Sequence, residues 1–147
     1  MTAGPDDLFP PLPDAGRIGL ERACAAVDAV LPLKPRHRAD LPFAVRDLSR
    51  LLTEDRALRR PDYMADPRFF SAYLNYFLPW NVFRMARLFR GIGMDLPDGA
   101  HLIDLGSGPL TVPLAMWVGL PELRSRALTF TCVDLAPRSM RIGLALF

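Results

Sequence analysis

The chain has 147 residues, the size of one ordinary domain, with 50% hydrophobic and 23% charged residues, close to the average of globular proteins. Arginine supplies 17 of the 18 basic residues, a skew that suits phosphate and carboxylate recognition but is equally explained by genome composition. Two cysteines, Cys24 and Cys132, are too few for a disulfide framework. The two histidines are far apart, so we expect no metal site.

The amino-terminal residues argue against secretion and membrane insertion. The start, MTAGPDDLFPPLPDAG, is acidic and rich in proline, whereas a signal peptide is basic and then apolar. No uncharged stretch reaches the roughly 20 residues that a membrane-spanning helix needs. The sequence therefore predicts a soluble, cytoplasmic protein with no membrane partner.

Residues 1–16 are predicted to form an irregular, proline-rich arm, and residues 17–99 a helical region. A first helix is expected over residues 17–30. Prolines at positions 32, 35 and 42 then predict a loop that contains KPRHR, followed by a second helix capped by Asp40. Asp66 and Pro67 are a typical helix start, and this third helix should stop at Pro79 and resume until Gly91.

From Ala100 the pattern changes to alternating strands and helices. HLIDL is an apolar run between glycines and predicts a buried strand, and a helix-sized segment follows over residues 109–119. LTFTCVD predicts a second strand, and a further helix begins at Pro137. This βαβ pattern predicts an α/β fold with parallel strands and a right-handed crossover.

A glycine turn and two acids make the end of this βαβ unit a candidate ligand site. Gly106 and Gly108 follow the first strand, at the sheet edge where ligands of open α/β sheets bind. Thr111 stands where a dinucleotide fingerprint needs a third glycine, and there is no Walker lysine. Asp104 and Asp134 would repel phosphate but suit ammonium and ribose hydroxyl groups. This combination favours S-adenosyl-L-methionine, with another nucleotide as the alternative.

LIDLGSGPL followed by FTCVDLAPRSM resembles the first two motifs of class I S-adenosylmethionine-dependent methyltransferases. The resemblance implies a Rossmann-like core in which Asp104, Gly106 and Gly108 line the methionine side of the cofactor. Asp134 would bind the ribose, and Leu135 would pack on the adenine. The family often has a third glycine at position 110, where this chain has Leu110.

The helical segment upstream is similar to the one that precedes the core in some bacterial methyltransferase-like proteins, including ribosome-associated ones. Its aromatic stretch FFSAYLNYFLPWNVF is expected to be mostly core. The alternative is that Tyr76 and Trp80 form part of a lid over the methyl group.

Residues 100–147 supply two of the seven strands of a class I core. We therefore expect the chain to be the amino-terminal part of a longer protein, or to be completed by self-association, and we do not expect it to catalyse alone. The methyl acceptor, RNA or a small molecule, and the catalytic residues are not indicated.

The segment from Lys34 to Arg60 carries eight basic residues against four acids. Two interpretations remain open, a phosphate-binding surface for RNA and an ordinary solvated helix face. The alternative function is a non-catalytic RNA- or ribosome-binding protein with a degenerate methyltransferase fold, which Leu110 and the missing strands favour and the intact Asp104 and Asp134 oppose.

Overall fold

The computed structural model describes residues 8–55, 57 and 63–147. The first seven residues of the predicted arm lie outside the described residues, as do Arg56, Arg59 and Arg60 of the basic segment. Within the described part of the chain, no helix is both long enough and apolar enough to cross a membrane.

The first helix, α1 (Asp14–Val30), begins within the predicted arm. The described residues ahead of it pack against the body of the protein. Arg87 donates hydrogen bonds to the carbonyl groups of Phe9 and Pro10, and Leu12 is buried. The arm is therefore held in place by a side chain that lies 77 residues further along the chain.

The second helix, α2 (Pro35–Thr53), corrects the prediction for the proline-rich segment. Pro35 occupies the first helical turn, where its missing N–H costs nothing, so KPRHR lies at the helix start and not in a loop. Pro42 lies inside the helix. Asp40 is not the cap, and it accepts a hydrogen bond of 2.9 Å from Arg68 instead.

A nearly continuous helical rod follows. A 3-10 turn (Tyr63–Ala65) precedes α3 (Pro67–Ala72), and the Asp66 side chain accepts from the Arg68 N–H at 2.8 Å, which confirms the predicted cap. A π-helical segment (Tyr73–Phe77) leads directly into α4 (Leu78–Gly91).

Pro79 does not interrupt this rod, so the predicted stop was wrong. In a regular helix the Pro79 ring would clash with the carbonyl group four residues earlier. The π segment gives the wider turn, and within it the Leu78 N–H bonds to the Tyr73 carbonyl five residues back.

The carboxyl-terminal part contains β1 (His101–Leu105), α5 (Thr111–Gly119), a 3-10 turn (Pro121–Ser125), β2 (Thr129–Val133) and α6 (Pro137–Ala145). The two strands pair in parallel, with His101 opposite Thr129 and Leu105 opposite Val133. The predicted mixed α/β fold with parallel strands is thereby confirmed.

The sheet is covered on one face only by the described residues. Exposure alternates along both strands, so Leu102 and Phe130 pack on the core. On the other face Ile103 is 68% exposed and Leu105 is 77% exposed. The prediction of a buried strand is therefore wrong for three of the five β1 side chains, which are exposed, and the other two are partly buried.

Two close backbone contacts fix the helices that follow the strands. A Cβ atom on Gly119 would stand 2.5 Å from the Ala86 carbonyl oxygen, so α5 lies almost directly on α4. A Cβ atom on Gly143 would stand 2.5 Å from the Pro109 carbonyl carbon, so α6 lies against the loop after β1. The main core includes Phe70, Leu74, Val82, Leu114 and Val118.

Candidate functional site

The loop after β1 is anchored to the end of β2. Gly106 and Gly108 have positive φ angles of 77° and 52°, which glycine adopts at little cost. The N–H groups of Gly106 and Ser107 both donate to the Val133 carbonyl group, at 2.8 and 3.1 Å. The Ser107 hydroxyl donates to the Asp104 carbonyl group at 2.7 Å. The glycine turn is thus a fixed structure at the carboxyl edge of the sheet.

Asp134 joins this loop to the start of α6. One carboxylate oxygen accepts from the Gly108 N–H at 2.8 Å, and the other accepts from the Ala136 N–H at 2.7 Å. A carboxylate has about four acceptor sites, so both oxygens can accept further hydrogen bonds. Asp134 therefore holds the two loops in register and still has acceptors for a ligand.

A cleft of about 590 Å³ opens at this edge of the sheet. Its floor is formed by the glycine loop and by the turn that links β2 to α6. The opposite wall comes from the helical region. The lining residues are Tyr63, Met64, Tyr73, Gly106, Gly108, Pro109, Val133, Asp134, Leu135, Ala136 and Ser139.

Tyr73 brings a phenol from the π segment to the glycine loop. Its hydroxyl would lie 3.9 Å from a Cβ atom on Gly108. Burial is the largest cause that raises the pKa of the Tyr73 hydroxyl, and the nearby Tyr63 and the Asp134 charge raise it further. Hydrogen bonds with Thr111 and Asn81 lower it. The hydroxyl is therefore protonated at neutral pH and can donate a hydrogen bond to a ligand.

Two polar side-chain atoms at the site are buried without a hydrogen-bond partner among the described residues. One is the Ser139 hydroxyl oxygen, in the first turn of α6, on a side chain that lines the cleft. The other is the Oδ2 atom of Asp104, on the covered face of β1. Buried polar atoms are normally hydrogen-bonded, so unpaired ones call for an explanation such as a water or a ligand.

Leu110 ends the loop in a left-handed conformation, with φ 58° and ψ 46°. This conformation costs a non-glycine residue roughly 1–2 kcal/mol. The Leu110 side chain is only 5% exposed, and burial of a leucine contributes about 1.5–3 kcal/mol. The loop thus keeps the shape that a glycine would give it, and buried apolar surface offsets the strain.

Four of the seven predicted site residues meet in the cleft: Gly106, Gly108, Asp134 and Leu135. Asp104 precedes the loop on the covered face of β1. Tyr76 and Trp80 are about half exposed, and the described part of the chain places Tyr73 in the cleft wall where these two were expected.

Sequence reasoning missed Tyr63, Met64, Tyr73 and Ser139. The π turn shifts which residues of the aromatic stretch face the sheet, and no sequence signal marks that shift. Ser139 lies one helical turn before Gly143, which packs on the loop, but the sequence alone does not reveal that contact.

Comparisons with protein-family models, with curated proteins and with solved structures return no match to this chain. Its function must therefore be inferred from the site itself.

Two other features bear on that inference. Among the described residues, no group of three or more His, Cys, Asp or Glu side chains is arranged to hold a metal ion. A second cavity, of about 350 Å³, lies between α5, β2 and α6, and most of its lining is apolar, including Leu110, Met116 and Phe130. It contains neither the glycine turn nor an acid, so the cleft at the sheet edge is the better candidate site.

Proposed function

We propose that the cleft binds S-adenosylmethionine and that the chain forms the cofactor-binding part of a Rossmann-like methyltransferase. One observation carries the proposal: Asp134 and the glycine turn, which are 26 residues apart, meet through a hydrogen bond of 2.8 Å at the carboxyl edge of two parallel strands. Ligands of open α/β sheets bind at this edge.

The ribose is assigned to Asp134. Two vicinal hydroxyl groups can each donate to a carboxylate, and hydrogen bonds to a charged acceptor are about twice as strong as neutral ones. Because the backbone N–H groups of Gly108 and Ala136 already fix the carboxylate, it is preorganised for this contact. A phosphate group at the same place would be repelled.

The adenine is assigned to the apolar side of the cleft. Leu135 is 90% exposed and projects from the turn after β2, where nothing in the described chain covers it. Val133 and Met64 line the same cleft. A flat, weakly polar ring on Leu135 would remove this apolar surface from water.

The methionine end is assigned to the glycine turn. A Cβ atom on Gly106 would meet no described atom within 4 Å, so the loop leaves its face open to a ligand. Asp104 lies directly before this turn and has a buried oxygen without a partner, a suitable acceptor for an ammonium group reached directly or through water. The protonated Tyr73 hydroxyl faces Gly108 from the other wall.

When bound, S-adenosylmethionine supplies an electrophilic methyl group on a sulfonium. The residues of this chain bind and orient it: Asp134 holds one end, the glycine turn admits the other, and the helical wall limits access of water. Orientation and exclusion of water are the main contributions that a protein makes to such a displacement. The acceptor, RNA or a small molecule, and the residues that position it are not assigned.

Isothermal titration calorimetry with the purified chain tests the proposal. We expect S-adenosylhomocysteine to bind with a stoichiometry of one, and ADP to bind at least about tenfold more weakly, because its phosphates would take the place of the homocysteine at the glycine turn, beside the Asp104 carboxylate. Circular dichroism on the same sample verifies that the chain is folded. A folded chain that binds ADP more tightly than S-adenosylhomocysteine, or binds neither, would refute the proposal.

A further inference from the structure

The face of α2 that points away from the core carries an unusual combination of side chains. Arg36, Phe43, Arg46 and Arg50 follow one another at spacings of seven, three and four residues, so they share one side of the helix. All four are exposed, and the opposite side of α2 packs on α3 through Ala44 and Leu48. We call these four residues the α2 arginine face.

The acids of α2 neutralise this face only in part. Arg68, from α3, bonds to Asp40 and to Asp47 at 2.9 Å each, so both carboxylates are tied to α3, while the second oxygen of Asp47 accepts from Arg46. The hydrogen bond from Arg68 is the largest of the causes that lower the pKa of the Asp47 carboxyl group. The two acids therefore stabilise the contact between α2 and α3, and α2 keeps an excess of positive charge.

The arginines themselves are weakly engaged. Arg46 contacts Asp47 at 3.2 Å and Arg50 contacts Glu54 at 3.5 Å, and both arginine side chains are more than 60% exposed. Exposed pairs of this kind are weak and are screened by salt. Among the described residues, Arg36 lies within 4 Å of no carboxylate, and its Nε donates to the His37 ring. Arg36 can therefore contact phosphate directly, and Arg46 and Arg50 can exchange their weak carboxylate contacts for phosphate.

Phe43 adds a second type of contact. Its side chain is 53% exposed in the middle of the face, and the Arg46 guanidinium lies 5.6 Å from its ring centre. An exposed aromatic ring beside arginines is the arrangement on which unpaired bases stack while cations follow the backbone. Paired bases in a duplex are not available to such a ring.

We propose that the α2 arginine face binds single-stranded nucleic acid, with Arg36, Arg46 and Arg50 on phosphates and Phe43 stacked on a base. RNA and DNA share this chemistry. None of the four residues lines the cleft, so this proposal does not depend on cofactor binding.

Fluorescence anisotropy with labelled 12-nucleotide oligouridine, oligothymidine and a duplex of equal length tests the proposal. The first variant replaces Arg36, Arg46 and Arg50 with glutamine. Its control replaces Arg22, Arg84 and Arg141, three exposed arginines on other helices, and so removes the same charge. We expect the first variant to bind the single strands at least about tenfold more weakly and to lose about 2 from the slope of log K against log salt.

The Phe43→Ala variant tests the stacking contact. We expect a loss of about fivefold to a hundredfold in affinity for the single strands with an unchanged salt slope. The proposal would be overturned if the two triple arginine variants lost the same affinity for the single strands. It would also be overturned if the wild-type chain bound the duplex as tightly as the single strands, or bound no nucleic acid. Unchanged affinity for S-adenosylhomocysteine in all variants would show that the cleft is unaffected. Tighter binding of oligouridine than of oligothymidine would identify RNA as the partner.

Discussion

Replacing Gly143 with alanine is expected to lower the free energy of unfolding by about 2 kcal/mol, because the new methyl group has no space. Its Cβ atom would stand 2.5 Å from the Pro109 carbonyl carbon, 2.6 Å from its oxygen and 2.7 Å from the Leu110 side chain. Two of these are backbone atoms that cannot rotate away. Alanine has a better helix propensity than glycine, which stabilises the variant by up to about 1 kcal/mol. The expected loss of about 2 kcal/mol is the net value after this gain.

Thermal and urea unfolding monitored by circular dichroism measure this effect, which corresponds to a decrease of roughly 4–8 °C in Tm. Arg141→Ala is the control, since it changes an exposed side chain of the same helix and should alter stability by less than about 0.5 kcal/mol. An unchanged or increased Tm for Gly143→Ala would show that α6 does not lie against the loop.

Replacing Asp134 with asparagine is expected to weaken both the fold and the cofactor site. Asparagine has a single side-chain oxygen, so only one of the N–H groups of Gly108 and Ala136 can keep its acceptor, and the other faces an NH₂ group. Leaving a donor unpaired costs about 1–3 kcal/mol. If the ribose binds as proposed, the affinity for S-adenosylhomocysteine should fall about tenfold to a hundredfold as well.

Asp98→Asn provides a matched control for this change. Asp98 also accepts a backbone hydrogen bond, 2.7 Å from the Ala127 N–H, but asparagine can keep a single bond of that kind. It removes the same charge at an exposed position outside the cleft. If Asp98→Asn reduced ligand affinity as much as Asp134→Asn, net charge and not the proposed contact would be responsible.

The sequence predicts the strands of this protein better than its helix ends. HLIDL is a short apolar run between glycines, LTFTCVD is rich in β-branched and aromatic residues and ends on an acid, and both become strands with the expected pairing. Pro35 and Pro42 predict breaks in the helical pattern, but proline is tolerated in the first turn of a helix, and α2 accommodates a second one inside it. Proline patterns alone do not distinguish a helix start from a loop.

The candidate site was predictable on one side only. Gly106, Gly108, Asp134 and Leu135 lie on the two loops that a βαβ unit brings to one sheet edge, so local patterns suffice to place them together. The opposite wall depends on how the helical region packs. Tyr73 reaches the cleft through the π turn that accommodates Pro79, a tertiary outcome that the spacing of the aromatic residues does not reveal.

The most direct test of the cofactor site is an NMR titration of the isotope-labelled chain with S-adenosylhomocysteine, followed through the backbone amide shifts. The proposal predicts the largest changes at Gly106, Gly108, Leu135 and Ala136, with Tyr73 following from the opposite wall. Changes confined to the apolar cavity beside α5, or an unchanged spectrum at saturating ligand, would contradict it.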